Sequence, residues 1–285
     1  MDTTKHYKKL VISGGELKGF IMLGSLQYIY DNYDTSLITH YIGTSVGSII
    51  SYLLAIGYTP IELVVHVCTS RILSKFKEID LIQLTNGEGA YNWTVVQEYI
   101  EQLTIQKIGK LINLKQLYEE YDKHVTFVTT NYTKQETEYI SVDNHPDMPC
   151  LIALRMSSSI PIVFPHFYYL DSFYIDGGIS NNFPINLITD EDEDVLAIYC
   201  SLEKHLQPSE MNVVSYTYSL LFVPIKFNMK ANIKLKENCN NIEIICLTAK
   251  NLKKDLLYMN NQQILDSFSG GYQKIKEIKE NNLKN

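Results

Sequence analysis

The chain has 285 residues, of which 45% are hydrophobic and 20% charged, with a formal net charge of −7. That profile excludes a disordered chain, argues against a general nucleic-acid binder, and is sufficient for one large core or two modest ones. The acidic excess is uneven. Lys226, Lys230, Lys234 and Lys236, followed by Lys250, Lys253, Lys254, Lys274, Lys276 and Lys279, make the last quarter basic. This reads as a solvated lysine face or as a surface suited to anionic lipid. Cys68, Cys150, Cys200, Cys239 and Cys246 form no C-x-x-C pair, so neither a closed disulfide framework nor a zinc site is expected, and a reducing compartment fits. No run approaches the roughly 20 apolar residues of a membrane span. The expectation is a soluble, cytoplasmic or intracellular protein whose membrane contact is peripheral.

In chain order, KLVI at 9–12 predicts a strand that ends in Ser13-Gly14-Gly15, and residues 19–30 have helical apolar spacing. SLITHYI at 36–42 predicts a second strand, and residues 46–56 are apolar almost all round, as a buried helix should be. Thr59-Pro60-Ile61-Glu62 carries an N-cap followed by proline at the first helical position. Residues 74–93, which include Asn86-Gly87-Glu88-Gly89, read as a loop-rich connection. Helices are predicted over 93–103, 114–121, 149–158 and 260–279, and strands over 124–131, 138–142, 173–175, 194–200 and 242–247. Phe164 to Tyr169 is aromatic extended chain, and YTYSLLFVPIKF at 216–227 is an apolar stretch broken by Pro224 that suits lipid, acyl chain or core equally. Strands alternating with helices, without a repeat or low-complexity linker, predict an α/β fold with a largely parallel sheet.

Three stretches carry chemistry. Gly43-Thr44-Ser45-Val46-Gly47 places a serine between glycines where a strand gives way to a helix, the setting in which a hydroxyl is presented as a nucleophile. Ser13-Gly14-Gly15-Glu16-Leu17-Lys18-Gly19 turns backbone N–H groups toward one concavity at a helix mouth. It lacks both the glycine at the third position of a dinucleotide fingerprint, where Glu16 stands, and the Gly-Lys-Ser/Thr ending of a P-loop. For the base there are two candidates. Asp176, in Tyr174-Ile175-Asp176-Gly177-Gly178, ends an apolar strand, and His205 completes a Ser-Asp-His order but lies in a polar stretch. Ser157 to Ser159 and Asn181-Asn182 read as a helix end and a turn.

Ser13-Gly14-Gly15 with Lys18-Gly19, Gly43 to Gly47, Ser157-Ser158-Ser159-Ile160-Pro161 with Phe164-Pro165, and Asp176-Gly177-Gly178 with Asn181-Asn182-Phe183-Pro184 resemble the patatin-like phospholipase family, in that family's order. The resemblance covers about residues 8–200 of a single domain spanning 1–285, with a strand and helix region over about 201–285. It implies a three-layer α/β/α sandwich and a serine lipid acyl hydrolase that needs no metal or organic cofactor. By position, Ser45 matches the nucleophile, Asp176 the base of a Ser-Asp dyad, and Gly14, Gly15 and Glu16 the loop whose amides form the oxyanion hole. Glu16 departs from the family, which has a third glycine there, so a side chain occupies a place that favours φ > 0 and a carboxylate faces a developing negative charge. The expected partner is a lipid substrate. Two alternatives stand beside this reading: a silent patatin-like fold that binds lipid or a protein partner, and a Ser-Asp-His triad esterase.

Overall fold

The computed structural model describes residues 6–76, 83–84, 86, 88–189, 192, 194–201, 213–248 and 258–282; His205, Lys250, Lys253, Lys254 and Gly87 lie outside them. The first crossover is β1 (Lys9–Ile12), α1 (Gly19–Asn32) and β2 (His40–Thr44), and α2 (Val46–Ala55) and α3 (Pro60–Ser70) follow. Next come α4 (Thr94–Ile108), α5 (Leu114–Tyr121), β3 (His124–Asn131), β4 (Glu136–Ile140) and α6 (Cys150–Ser157). The chain continues through β5 (Phe167–Tyr169), β6 (Ser172–Asp176), the single turn α7 (Gly178–Asn181) and β7 (Val195–Cys200). It closes with α8 (Val213–Lys236), β8 (Ile242–Leu247) and α9 (Asn261–Asn282).

Local chemistry fixes several of these boundaries. Thr59 and Glu62 form the reciprocal capping box that starts α3, with Pro60 directly behind the cap. β2 begins at His40, later than the apolar run predicts, because the Asp34 carboxylate accepts from both the Ser36 amide at 3.0 Å and the Ser36 hydroxyl at 2.6 Å. Those bonds hold a turn where the sequence suggested strand. The stretch 216–227 is part of the 24-residue α8, and Pro224 stands inside it. No single helix among the described residues is long and apolar enough to cross a membrane.

Five strands run parallel in the order β3-β2-β1-β7-β8, and β4, β5 and β6 add an antiparallel portion. Side chains alternate between two buried faces. Leu10, Ile12, Leu196 and Ile198 pack on one side with α1, α2 and α9, while Val11, Val195 and Ala197 pack on the other with Phe183, Ile185 and Ile225. Helices therefore cover both faces, as a parallel sheet requires. The result is a three-layer α/β/α arrangement.

The strand that matters most for the site is β3. On one edge it pairs with β2 as far as Thr44 opposite Val128. Along the same edge, from the opposite direction, comes β6, which ends with Asp176 opposite Thr129, while β4 takes the far edge. Two strands thus meet head to head on β3, and their ends carry the two candidate residues.

The C-terminal elements are built into the same body. α9 crosses α1 so closely that a Cβ on Gly24 would stand 1.8 Å from the Phe268 carbonyl oxygen and one on Gly271 2.0 Å from that of Ile21. Nearby, Tyr7 donates to Glu243 at 2.6 Å, and Lys279 reaches both Glu243 at 2.6 Å and the Tyr7 hydroxyl at 3.0 Å, which joins β8, α9 and the segment ahead of β1.

Candidate active site

Ser45 sits between β2 and α2 with φ 57° and ψ −123°, a conformation that a residue with a side chain adopts only where the surroundings impose it. The surroundings are glycine-dependent. A Cβ at Gly47 would lie 2.4 Å from the Ile12 carbonyl oxygen, and one at Gly43 would lie 2.5 Å from that of Gly47. A hydroxyl network then pins the turn. Ser45 N–H donates to Ser157 Oγ at 3.0 Å, Ser157 donates to the Val128 carbonyl at 2.6 Å, and Ser48 Oγ lies 2.7 Å from Ser157 Oγ.

The same serine segment carries the other half of the site. Ser157 C=O accepts from Gly177 N–H at 3.1 Å, and Ser159 C=O accepts from Asp176 N–H at 2.9 Å. The Gly177 Cα can approach because a Cβ there would collide with the Val128 carbonyl at 2.1 Å. Ser157 thus ties both ends of the strand meeting, a role that a reading of Ser157–Ser159 as a plain helix end misses. Asn181 and Asn182 are likewise positioning residues: Asn181 C=O accepts from Thr44 Oγ1 at 3.0 Å, and Asn182 C=O accepts from Gly14 N–H at 3.0 Å. The sequence signal was there, in the repeated serines and the paired asparagines, but their contacts with Ser45, Thr44 and Gly14 span more than a hundred residues.

Asp176 is buried, and its Oδ1 accepts from Gly178 N–H at 2.7 Å. Burial pushes its carboxyl up to about 7. The Ser45 hydroxyl and the Gly178 amide pull the other way, and the Glu16 carboxylate adds to the rise. Among the described residues, the buried Oδ2 has no hydrogen-bond partner. Among the described residues, Ser45 and Asp176 therefore stand within each other's influence without a closed hydrogen bond.

Glu16 takes φ 55°, the left-handed backbone of a glycine position. Its Oε1 accepts from the Tyr218 hydroxyl of α8, and burial, with Glu16 beside it, drives the Tyr218 phenol well above its usual range. Of the loop amides, Gly14 N–H is engaged by Asn182 as described, so the loop is fixed at that residue. His205 lies outside the described residues and is not placed.

Two cavities meet at Ser45. One, of about 190 Å³, runs between α1, α2, α3 and α4 and is lined by apolar side chains such as Leu17, Phe20, Ile49, Leu53 and Leu63, with Ser45 and Glu16 among its walls. A smaller one, of about 40 Å³, lies under α8 and touches Ser45, Asp176, Gly15 and Lys18 on one side and Tyr218, Leu221, Phe222 and Ile225 on the other.

The patatin-like phospholipase family model matches residues 10–188, well over half of the chain. The chain belongs to the patatin-like phospholipase family. It is a hydrolase of lipid esters by that membership. It is 30% identical over 286 residues to the probable lipid hydrolase 463L of Invertebrate iridescent virus 6, with 98% of this chain and 91% of that protein covered. It is 33% identical over 195 residues to uncharacterized protein R571 of Acanthamoeba polyphaga mimivirus, with 67% and 64% covered. Among solved structures, VipD from Legionella pneumophila shares the fold with a TM-score of 0.55 at 15% identity, covering 95% of this chain and 66% of VipD. The type III effector protein ExoU does so with a TM-score of 0.51 at 14% identity, covering 95% and 52%. This chain thus spans about half to two thirds of those two proteins.

Proposed function

We propose that this patatin-like protein is a serine acyl hydrolase of the phospholipase A or lysophospholipase type, with Ser45 as nucleophile and Asp176 as base. The observation that carries the reading is the state of Asp176: a buried carboxyl directed at the presented serine and poised near 7 rather than near its ordinary 3.8. A carboxylate of ordinary basicity is a poor acceptor for an alcohol proton, and burial corrects that mismatch. In the acylation step Asp176 takes the Ser45 proton as Oγ bonds to the ester carbonyl carbon, and the protonated Asp176 gives that proton to the departing alcohol. Deacylation repeats the cycle with water as nucleophile.

The oxyanion falls to the loop at Gly14, Gly15 and Glu16. With Gly14 N–H occupied by Asn182, the amides of Gly15 and Glu16 are the donors we assign, and Gly14 fixes the loop that presents them. The 190 Å³ apolar cavity suits the acyl chain, since it begins at Ser45 and its walls are almost wholly hydrocarbon.

Ser45→Ala and Asp176→Asn should each abolish fatty-acid release from a panel of phospholipids, lysophospholipids and acylglycerols while the circular dichroism spectrum is retained. A fluorophosphonate should label the wild type and spare Ser45→Ala. Activity that survives Asp176→Asn but not His205→Ala would support the triad instead. An unlabelled wild type would support the silent lipid-binding or interaction module, with Glu16 as its lesion.

A further inference from the structure

The inner side of α8 is committed to the site, because Tyr218, Leu221, Phe222 and Ile225 follow one another at helical spacing over the small cavity at Ser45. Its outer side is not polar, as the exposed face of a surface helix would be. Tyr216, Leu220, Val223 and Phe227 recur at intervals of four, three and four residues, so they form a single stripe, and they are 49%, 47%, 50% and 73% exposed. The same stripe continues, at intervals of three and four, into the exposed Lys230 and Lys234. From 213 to 236 the helix contains four lysines and no acidic residue, on a chain whose net charge is −7.

We infer that the outer face of α8 is a docking surface for an anionic lipid membrane, with Tyr216, Leu220, Val223 and Phe227 entering the headgroup boundary and Lys230 and Lys234 set against lipid phosphates. Charge complementarity selects the occupant: a cationic stretch on an acidic protein is drawn to a negative surface while the rest of the molecule is repelled from it, which orients the approach. A row of exposed aromatic and aliphatic side chains beside lysines is the arrangement by which a helix lies in a membrane interface. The inference rests on the reading of Ser45 as a lipid hydrolase site only for its biological sense. Docking itself does not require catalysis.

The test uses the full chain carrying Ser45→Ala, so that vesicles are not consumed, and measures co-sedimentation with phosphatidylcholine vesicles with and without phosphatidylserine. Phosphatidylserine should raise partitioning by about tenfold or more, and added salt should reverse that gain. Leu220→Asp with Phe227→Asp should lower partitioning at least about tenfold, the loss expected when two apolar anchors can no longer be buried. Lys230→Glu with Lys234→Glu should remove the preference for phosphatidylserine. In the Ser45-containing chain, both pairs should leave turnover of a soluble short-chain ester unchanged. If the aspartate pair loses that turnover through misfolding, the lysine pair decides alone. Partitioning that ignores the lysine reversal overturns the proposal. So does a dimer, seen by sedimentation velocity, that the aspartate pair dissociates, because the face would then belong to a second copy of the chain. Soluble-ester turnover that persists in Ser45→Ala would instead refute the nucleophile while leaving the docking result intact.

Discussion

Ser157 Oγ accepts the Ser45 N–H at 3.0 Å, while the carbonyl of the same Ser157 accepts the Gly177 N–H at 3.1 Å. One residue therefore holds the Ser45 turn with its side chain and the residue after Asp176, the proposed base, with its backbone. Ser157→Ala removes the side-chain tie, along with the bonds to the Val128 carbonyl and Ser48, keeps the backbone tie, and leaves a buried donor unsatisfied. It should cost ~1–3 kcal/mol of stability and lower kcat on the order of tenfold to a hundredfold, since small displacements of reacting groups are expensive. KM for a soluble ester should change little, and Ser157→Thr, which keeps the hydroxyl, should recover part of the loss. Thermal melts with steady-state kinetics on the three proteins check this.

In the proposed dyad Asp176 must be ionised to accept the Ser45 proton, and its carboxyl is held up to about 7 by burial first and by Glu16 in smaller part. The kcat/KM of the wild type should therefore rise with pH through about 7 rather than through the ordinary carboxylate range. Glu16→Gln keeps an acceptor for Tyr218 while removing the charge that raises Asp176. Its activity limb should move to lower pH, as measured by a pH profile on an uncharged soluble ester. A limb that stays in place would show that Glu16 does not act on the base.

The same shift has a consequence for stability. Below about 3.8, the ordinary value of an aspartate, Asp176 is protonated in both the folded and the unfolded chain, and it contributes nothing. Between about 3.8 and about 7 the unfolded chain releases a proton that the folded chain keeps, so stability falls as pH rises, and above about 7 the whole penalty is present. Asp176→Asn escapes it. The variant should be inactive yet more stable than wild type by ~2–4 kcal/mol at pH 8, with the difference vanishing near pH 4 in chemical denaturation.

Gly24 and Gly271 mark the crossing of α1 and α9, where an added Cβ meets backbone carbonyl oxygens at 1.8 Å and 2.0 Å. Gly24→Ala or Gly271→Ala should therefore push the helices apart and cost ~1–3 kcal/mol or more, although alanine is the better helix former. Gly270 is the control. Among the described residues a Cβ there meets nothing within 4 Å, so Gly270→Ala should stabilise by ~0.5–1 kcal/mol. Melting temperatures of the three variants separate propensity from collision.

What the sequence made legible was local. KLVI at 9–12, LKQLYEEY at 114–121, HVTFVTTN at 124–131 and IEIICL at 242–247 form the predicted elements over the predicted residues, because periodicity and β-branching act within a few positions. The strand–turn–helix around Ser45 was equally readable. Contacts set by the sheet were not: nothing near Ser157 announces that its hydroxyl meets Ser45, and nothing near Gly14 announces that its amide is claimed by Asn182. The stretch 216–227 was ambiguous for a physical reason, since a helix apolar on both its inner and outer faces has no single amphipathic period to detect.

The meeting of β2 and β6 on one edge of β3 gives the fold an unusual freedom. Thr44 and Asp176 are opposite neighbouring residues, Val128 and Thr129, so a single peptide unit of β3 acts as the ruler between nucleophile turn and base. The excursion from Gly57 to Lys123, ahead of β3, does not set that interval. Its helices and loops can lengthen, shorten or be exchanged, remodelling the apolar cavity and with it, on the proposed function, the choice of substrate, while Ser45 and Asp176 keep their spacing.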